Sequence, residues 1–298
     1  MAGRRECGGE QLDHGGDRLM LLAAVVLQAS IAAPAFAPPT DVPLRIITER
    51  TETSPDARQY RLERLVRFAR EGSGYRAEAV MLGSTSEAPQ KLGNLVERGL
   101  SALSGRKIVL HLDGNGRVVA VDDMAALWEQ VCQRVADAAV TRQSVPPADA
   151  TTLAEKLGAS LRALPPERQR ALLATLVTAA ITTEPIDPVG TTTPVQLPGA
   201  SPFGTPLALA GSRSTHAAEN ALIRTTTTAS ANVAIPARDG APATSGSVSL
   251  ERVRTFDPRT GMIASGLETT RNTIASGRET LLVTRLRIER ARSSDWPD

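Results

Sequence analysis

Residues 60–82, YRLERLVRFAREGSGYRAEAVML, set apolar side chains against charged ones at alternate positions on either side of a short polar turn. Tyr60, Leu62, Val66 and Phe68 alternate with Arg61, Glu63 and Arg67; the Arg-Glu-Gly-Ser-Gly stretch at 70–74 then leads into a second alternating run, Tyr75 to Leu82. A period of two sends successive side chains to opposite faces of a strand, leaving one face apolar and the other wet. That is the pattern of half-buried antiparallel strands. Leu44–Arg50 is the expected third strand, joined through the Thr-Ser-Pro-Asp turn at 53–56.

Further along, a helix is expected over about 90–103, with Leu92, Leu95, Val96 and Leu103 on one face and Gly105 beyond its end. Lys107–Leu112 and Arg117–Val121 flank Asp113-Gly114-Asn115-Gly116, a hairpin signal. Asp122 or Asp123 is placed to cap the next helix, which carries Met124, Leu127, Trp128, Val131 and Val135. Leu153, Leu157, Leu161 and Leu164 stripe a second helix. Leu172, Leu173, Leu176, Val177 and Ile181 stripe a third, with Pro166 suited to its first turn. Residues 184–206 are rich in Pro, Thr and Gly without a usable period and read as a linker or long surface loop. Strands return over 207–290, in Ala221–Val233, Ser247–Phe256, Met262–Thr270 and Glu279–Glu289.

The order is strands 44–121 with one helix, helices 122–183, the loop 184–206, then strands 207–290. It predicts one α+β domain over 38–298, with antiparallel β-meander sheets and a central group of helices. A curved half-barrel is one arrangement this order allows.

Residues 1–37 stand apart as a signal peptide. Arg18 precedes the apolar run Leu19–Ala37, LMLLAAVVLQASIAAPAFA, which ends in small residues as a secretory leader does. Its core, Leu19–Ala33, is shorter than the roughly 20 residues needed to cross a bilayer. Cleavage after Ala35 or after Ala37 satisfies the small-x-small pattern, with Pro38 an awkward neighbour for the second. A periplasmic or secreted location is expected, with no transmembrane span after cleavage. Cleavage also removes Cys7 and leaves Cys132 alone, so no internal disulfide is available in an oxidising compartment. Cys132 falls on the edge of a buried helix face, where it reads as a small apolar residue.

Charge and motifs narrow the chemistry. Lys+Arg number 34 against 32 Asp+Glu, a net charge of +2, too near neutral for binding driven by phosphate neutralisation. Aromatics are 3%, leaving few platforms on which bases could stack, so no nucleic-acid partner is expected. Asp113-Gly114-Asn115-Gly116 is not a calcium loop, because Arg117, Val118 and Met124 stand where ligands, Gly and Glu are required. His111 and His216 are the histidines beyond the leader, and no further ligands stand at metal-binding spacing, so neither metal nor cofactor is expected. No G-x-S-x-G elbow, H-E-x-x-H helix or phosphate loop occurs, and no catalytic residue is assigned. Arg285 and Arg287 share a strand face with Leu281 and Val283, and Arg61, Arg67 and Arg76 occupy similar outward positions. They form a candidate contact surface for anionic headgroups or an acidic partner, against the plainer reading of a solvated face.

Asp113-Gly114-Asn115-Gly116-Arg117-Val118 followed by a helix, and Phe256-Asp257-Pro258-Arg259-Thr260-Gly261-Met262-Ile263 continuing into strands, resemble exported β-rich bacterial proteins. A β-meander with helices resting on it is similar to the periplasmic lipoprotein carriers, which hold acyl chains. The resemblance is architectural, covers about 44–290 loosely, and brings no catalytic residues across. The leading expectation is a non-enzymatic envelope protein that binds an apolar or amphipathic ligand, such as a lipid, or another envelope protein. The competing expectation is an envelope hydrolase using His111 or His216 with a nearby Ser and Asp.

Overall fold

The alternation at 60–82 folds as two adjacent antiparallel strands, β2 (Arg58–Glu71) and β3 (Gly74–Ser86), in which Val66 faces Ala79 and Phe68 faces Ala77. Gly72 makes the turn at φ +54°, a conformation open to glycine without a Cβ clash. Leu44–Thr53 forms β1 on the other side of β2. The computed structural model describes residues 36–53, 57–86, 99–140, 147–182, 184, 186–202, 205–235 and 244–297. All of them lie within the unit Ile31–Asp298.

β4 (Lys107–Leu112) and β5 (Val118–Val121) form the hairpin over Asp113–Gly116. Three helices follow: α1 (Met124–Val140), α2 (Pro147–Arg162) and α3 (Pro166–Thr178), the last with Pro166 in its first turn as expected. β7 (Pro206–Ala217), β8 (Ile223–Ile235), β9 (Thr244–Asp257), β10 (Met262–Ile274) and β11 (Glu279–Arg290) make a long meander. The fold is α+β. Its strands join one 11-stranded antiparallel sheet, because β11 pairs with β1 and links the two halves. The sheet is neither closed nor strongly curled, so it is an open surface rather than a half-barrel.

One expectation is corrected. Within 184–206, read as a loop, Thr192–Ala200 is the edge strand β6, paired with β7. Pro194 and Pro198 hid the alternation of Thr193, Val195 and Leu197, and prolines are tolerated at a sheet edge, where a missing N–H need leave no ladder bond unmade. Of the helix expected at 90–103, residues 90–98 lie outside the described residues, and Ser101–Leu103 is a 3-10 turn burying Leu103. Residues 1–35 of the expected leader and the turn residues 54–56 also lie outside them. Phe36, within the segment 1–37 expected as a leader, is buried in the core of the folded unit.

The register sorts the side chains into two faces. Ile46, Val66, Phe68, Tyr75 and Leu110 turn inward to meet Leu127, Val131, Cys132, Leu173 and Leu176 from the helices, with Phe36 among them. A second, smaller cluster of Leu197, Leu209, Ala229, Val248 and Leu250 lies on β6–β9. Trp128 Nε1 donates to the Leu161 carbonyl at 3.1 Å, tying α1 to α2. On the outer face the C-terminal turn crosses the strands: Asp295 pairs with Arg45 at 2.9 Å, and the Arg67 guanidinium lies 4.6 Å from the Trp296 ring centre.

Candidate functional site

Arginine stands in the apolar phase of β9, at Arg252 and Arg254 after Val248 and Leu250, and again in β7 at Arg213. The pairing sets these positions in line. Arg50 faces Thr284, Thr284 faces Glu268, Glu268 faces Arg252, Arg252 faces Thr227, Thr227 faces Arg213, and Arg213 faces Thr193. A polar row therefore crosses the inner face from β1 to β6. It separates the second apolar cluster from Phe256 and Ile263 beside the helices.

Glu184, on the connection between α3 and β6, reaches into this row. Its carboxylate meets Arg213 at 2.5 Å, Arg252 at 3.0 Å and Arg254 at 3.1 Å. Arg252 also donates from Nε to Glu268 at 2.6 Å, and Arg213 from Nε to the Thr227 hydroxyl at 3.4 Å. Burial, followed by the neighbouring Arg252, pulls Arg254 below the ordinary arginine range. A guanidinium that cannot shed its proton in a protein must then find anions, and here they are scarce.

Beside the cluster opens a cleft of about 640 Å³ between α3, the β4–β5 turn and β9–β10. One wall is apolar, with Val118, Ala171, Ala174, Ile181 and Ile263. The charged lining is Arg117, Arg170, Arg252 and Arg254 against Glu167 and Glu184, an excess of two positive charges. A cleft of this size suits a small organic ligand, and its two-sided lining suits one with an apolar body and an anionic head.

The histidines are elsewhere and apart. His111, on β4, has its Nδ1 2.5 Å from Glu71 and its Nε2 3.0 Å from Asp122. Those bonds, that to Glu71 first, raise its pKa above the ordinary value, and in the protonated ring both nitrogens donate to carboxylates, which leaves no lone pair for a base or a metal. Asp122, one of the two residues expected to cap the next helix, is engaged by this ring. His216 lies exposed on β7 opposite Arg224, and seven strands separate β7 from β4. Among the described residues no group of three or more His, Cys, Asp or Glu is arranged to hold a metal.

Arg285 and Arg287 lie exposed on the outer face, where Arg285 stands opposite Glu49 and Arg287 opposite Ile47. Arg61, Arg67 and Arg76 share that face, paired with Glu49 at 2.7 Å, Glu78 at 2.7 Å and Glu78 at 2.8 Å respectively. Sequence reading missed the Glu184 cluster. Its available signal was an arginine in the apolar phase of a strand, whereas Glu184 gave none. Among the described residues no helix is long and apolar enough to cross a membrane. No protein-family model matches this chain, and no curated protein does either.

Proposed function

We propose that this chain is an exported, non-enzymatic envelope protein whose inner-face cleft receives an amphipathic anion. The cleft carries the reading: an apolar wall ends at a cluster of arginines, and the charged lining keeps two positive charges in excess. Charge complementarity favours a ligand with an acidic head, and the wall of Val118, Ile181 and Ile263 favours an alkyl body. Export rests on the pattern of Leu19–Ala37. The competing hydrolase draws no support from His111, whose ring is held by two carboxylates.

Purified from the periplasm of a bacterial host, the protein is expected to carry an anionic amphiphile, identified by solvent extraction and mass spectrometry. The Arg252→Gln/Arg254→Gln variant should lose it. A protein that arrives empty and binds no added amphiphile, or an esterase activity abolished by His111→Ala, overturns the reading.

A further inference from the structure

The position of Glu184 deepens that reading, and rests on it. The three guanidiniums that meet on Glu184 are fixed in strands β7 and β9, while Glu184 itself comes from the connection between α3 and β6 and takes no part in strand pairing. Its side chain is 30% exposed and lines the cleft. Withdrawing it breaks no strand pairing, yet takes from Arg252 and Arg254, which line the cleft, the carboxylate they share, a charge imbalance that a ligand's head would meet.

We infer that Glu184 is an internal stand-in for the ligand's carboxylate: it occupies the arginine seat when the cleft is empty and leaves when a long-chain carboxylate enters. The ligand class follows from the occupant. A planar carboxylate bridging several guanidiniums is the chemistry the seat already satisfies, so a fatty acid fits it directly. Binding and release of the connection around Glu184 are then one event, in which two carboxylates compete for the same cations.

Titration calorimetry with dodecanoate, dodecyl phosphate and dodecanol, each below its micelle-forming concentration, tests this on the wild type and on Glu184→Gln. A seat held by Glu184 nine-tenths of the time hides about tenfold of affinity, so the variant should bind dodecanoate about tenfold more tightly. Dodecanol should gain nothing, and dodecyl phosphate should bind less tightly than dodecanoate. Hydrogen exchange on the wild type gives a readout independent of any variant: the peptide covering 182–190 should exchange faster once dodecanoate is bound. Equal or weaker dodecanoate binding by a folded Glu184→Gln, or slower or unchanged exchange at 182–190, overturns the latch while leaving the ligand reading in place. A preference for dodecyl phosphate overturns the carboxylate assignment. Failure of both proteins to bind any of the three overturns the cleft as a ligand site, and the latch with it.

Discussion

The Phe36 ring meets the Tyr75 ring edge-on with centroids 5.1 Å apart, and the Tyr75 hydroxyl donates to the Phe36 carbonyl at 3.1 Å. Phe68 takes the same edge-on arrangement at 5.7 Å, and the Ala37 N–H donates to the Thr260 carbonyl at 3.0 Å. Phe36, near the end of the apolar run Leu19–Ala37, is thus a plug in the main core. Gly116 makes room for it, since a Cβ there would lie 2.9 Å from Phe36 Cγ.

Phe36→Ala should cost about 3–5 kcal/mol, the usual range for emptying a buried aromatic site. Urea denaturation of chains beginning at Phe36 and at Pro38 compares the products of the two cleavages expected, after Ala35 and after Ala37. Cleavage after Ala35 keeps the plug, whereas the Pro38 chain should be as unstable as Phe36→Ala. Equal midpoints for the two chains would show that Phe36 contributes nothing.

His111 joins the β2–β3 turn to the end of β5, and its protonated ring can donate to Glu71 and Asp122 at once. Its pKa is raised on folding, so its contribution is fully present below about pH 6.5, the unfolded value, and is lost as pH rises through the higher folded value. Both carboxylates are well exposed, which limits each pair to about 0.2–1 kcal/mol. The melting-temperature gap between wild type and His111→Gln should be widest near pH 5.5 and close by pH 9. A gap that widens with pH contradicts the charged-ring assignment.

Arg64 is buried in the inward phase of β2, with Nε donating to the Leu176 carbonyl at 2.6 Å and Nη1 to the Thr48 hydroxyl at 3.2 Å. Leu176 lies in the last turn of α3, where carbonyls lack helical partners and the helix dipole favours a cation. Burial lowers the guanidinium to about 10, still charged at neutral pH. Arg64→Ala should cost about 3–5 kcal/mol, from a cavity and an orphaned carbonyl together. Arg64→Met refills the volume and should lose only the carbonyl's partner, about 1–3 kcal/mol. Chemical denaturation that ranks Met below Ala would show that packing is not part of the role.

Most of the strands were legible because each carries its own period, as in Tyr60–Phe68 and Val248–Leu250, and a local pattern survives without knowledge of its neighbours. The union of two meanders into one sheet was not legible. It depends on β1 meeting β11, a pairing across almost the whole chain that no spacing announces. The polar row from Arg50 to Thr193 was hidden for the same reason, since its members align only when seven strands are in register. Arg252 was visible on the apolar side of its strand, but its partner Glu184 lies in a stretch without period.

Cys132 sits among Leu127, Val131 and the sheet, fully buried, and desolvation raises its thiol above the ordinary range. A buried thiol is a poor nucleophile because the thiolate is what reacts. Native protein beginning at Phe36 should show almost no reaction with a chromogenic disulfide reagent, and one thiol after denaturation. Rapid labelling of the native state would place Cys132 on an accessible surface.

The sheet's open edge at β6 carries its own protection. Thr215 N–H donates to the Thr191 carbonyl at 3.0 Å, so by alternation the odd-numbered residues of β6 turn their backbone groups toward β7 and the even-numbered ones turn theirs outward. Pro194 and Pro198 are even-numbered. Along the outward edge they remove two donors, so an incoming strand finds no regular ladder from Thr192 to Ala200. Neither proline disturbs the β6–β7 pairing, because neither position donates to β7. Pro194→Thr/Pro198→Thr should therefore leave the melting temperature nearly unchanged while promoting edge-to-edge association, seen as concentration-dependent growth in mass by light scattering. Loss of stability without association would mean that the prolines hold the strand's shape rather than guard its edge.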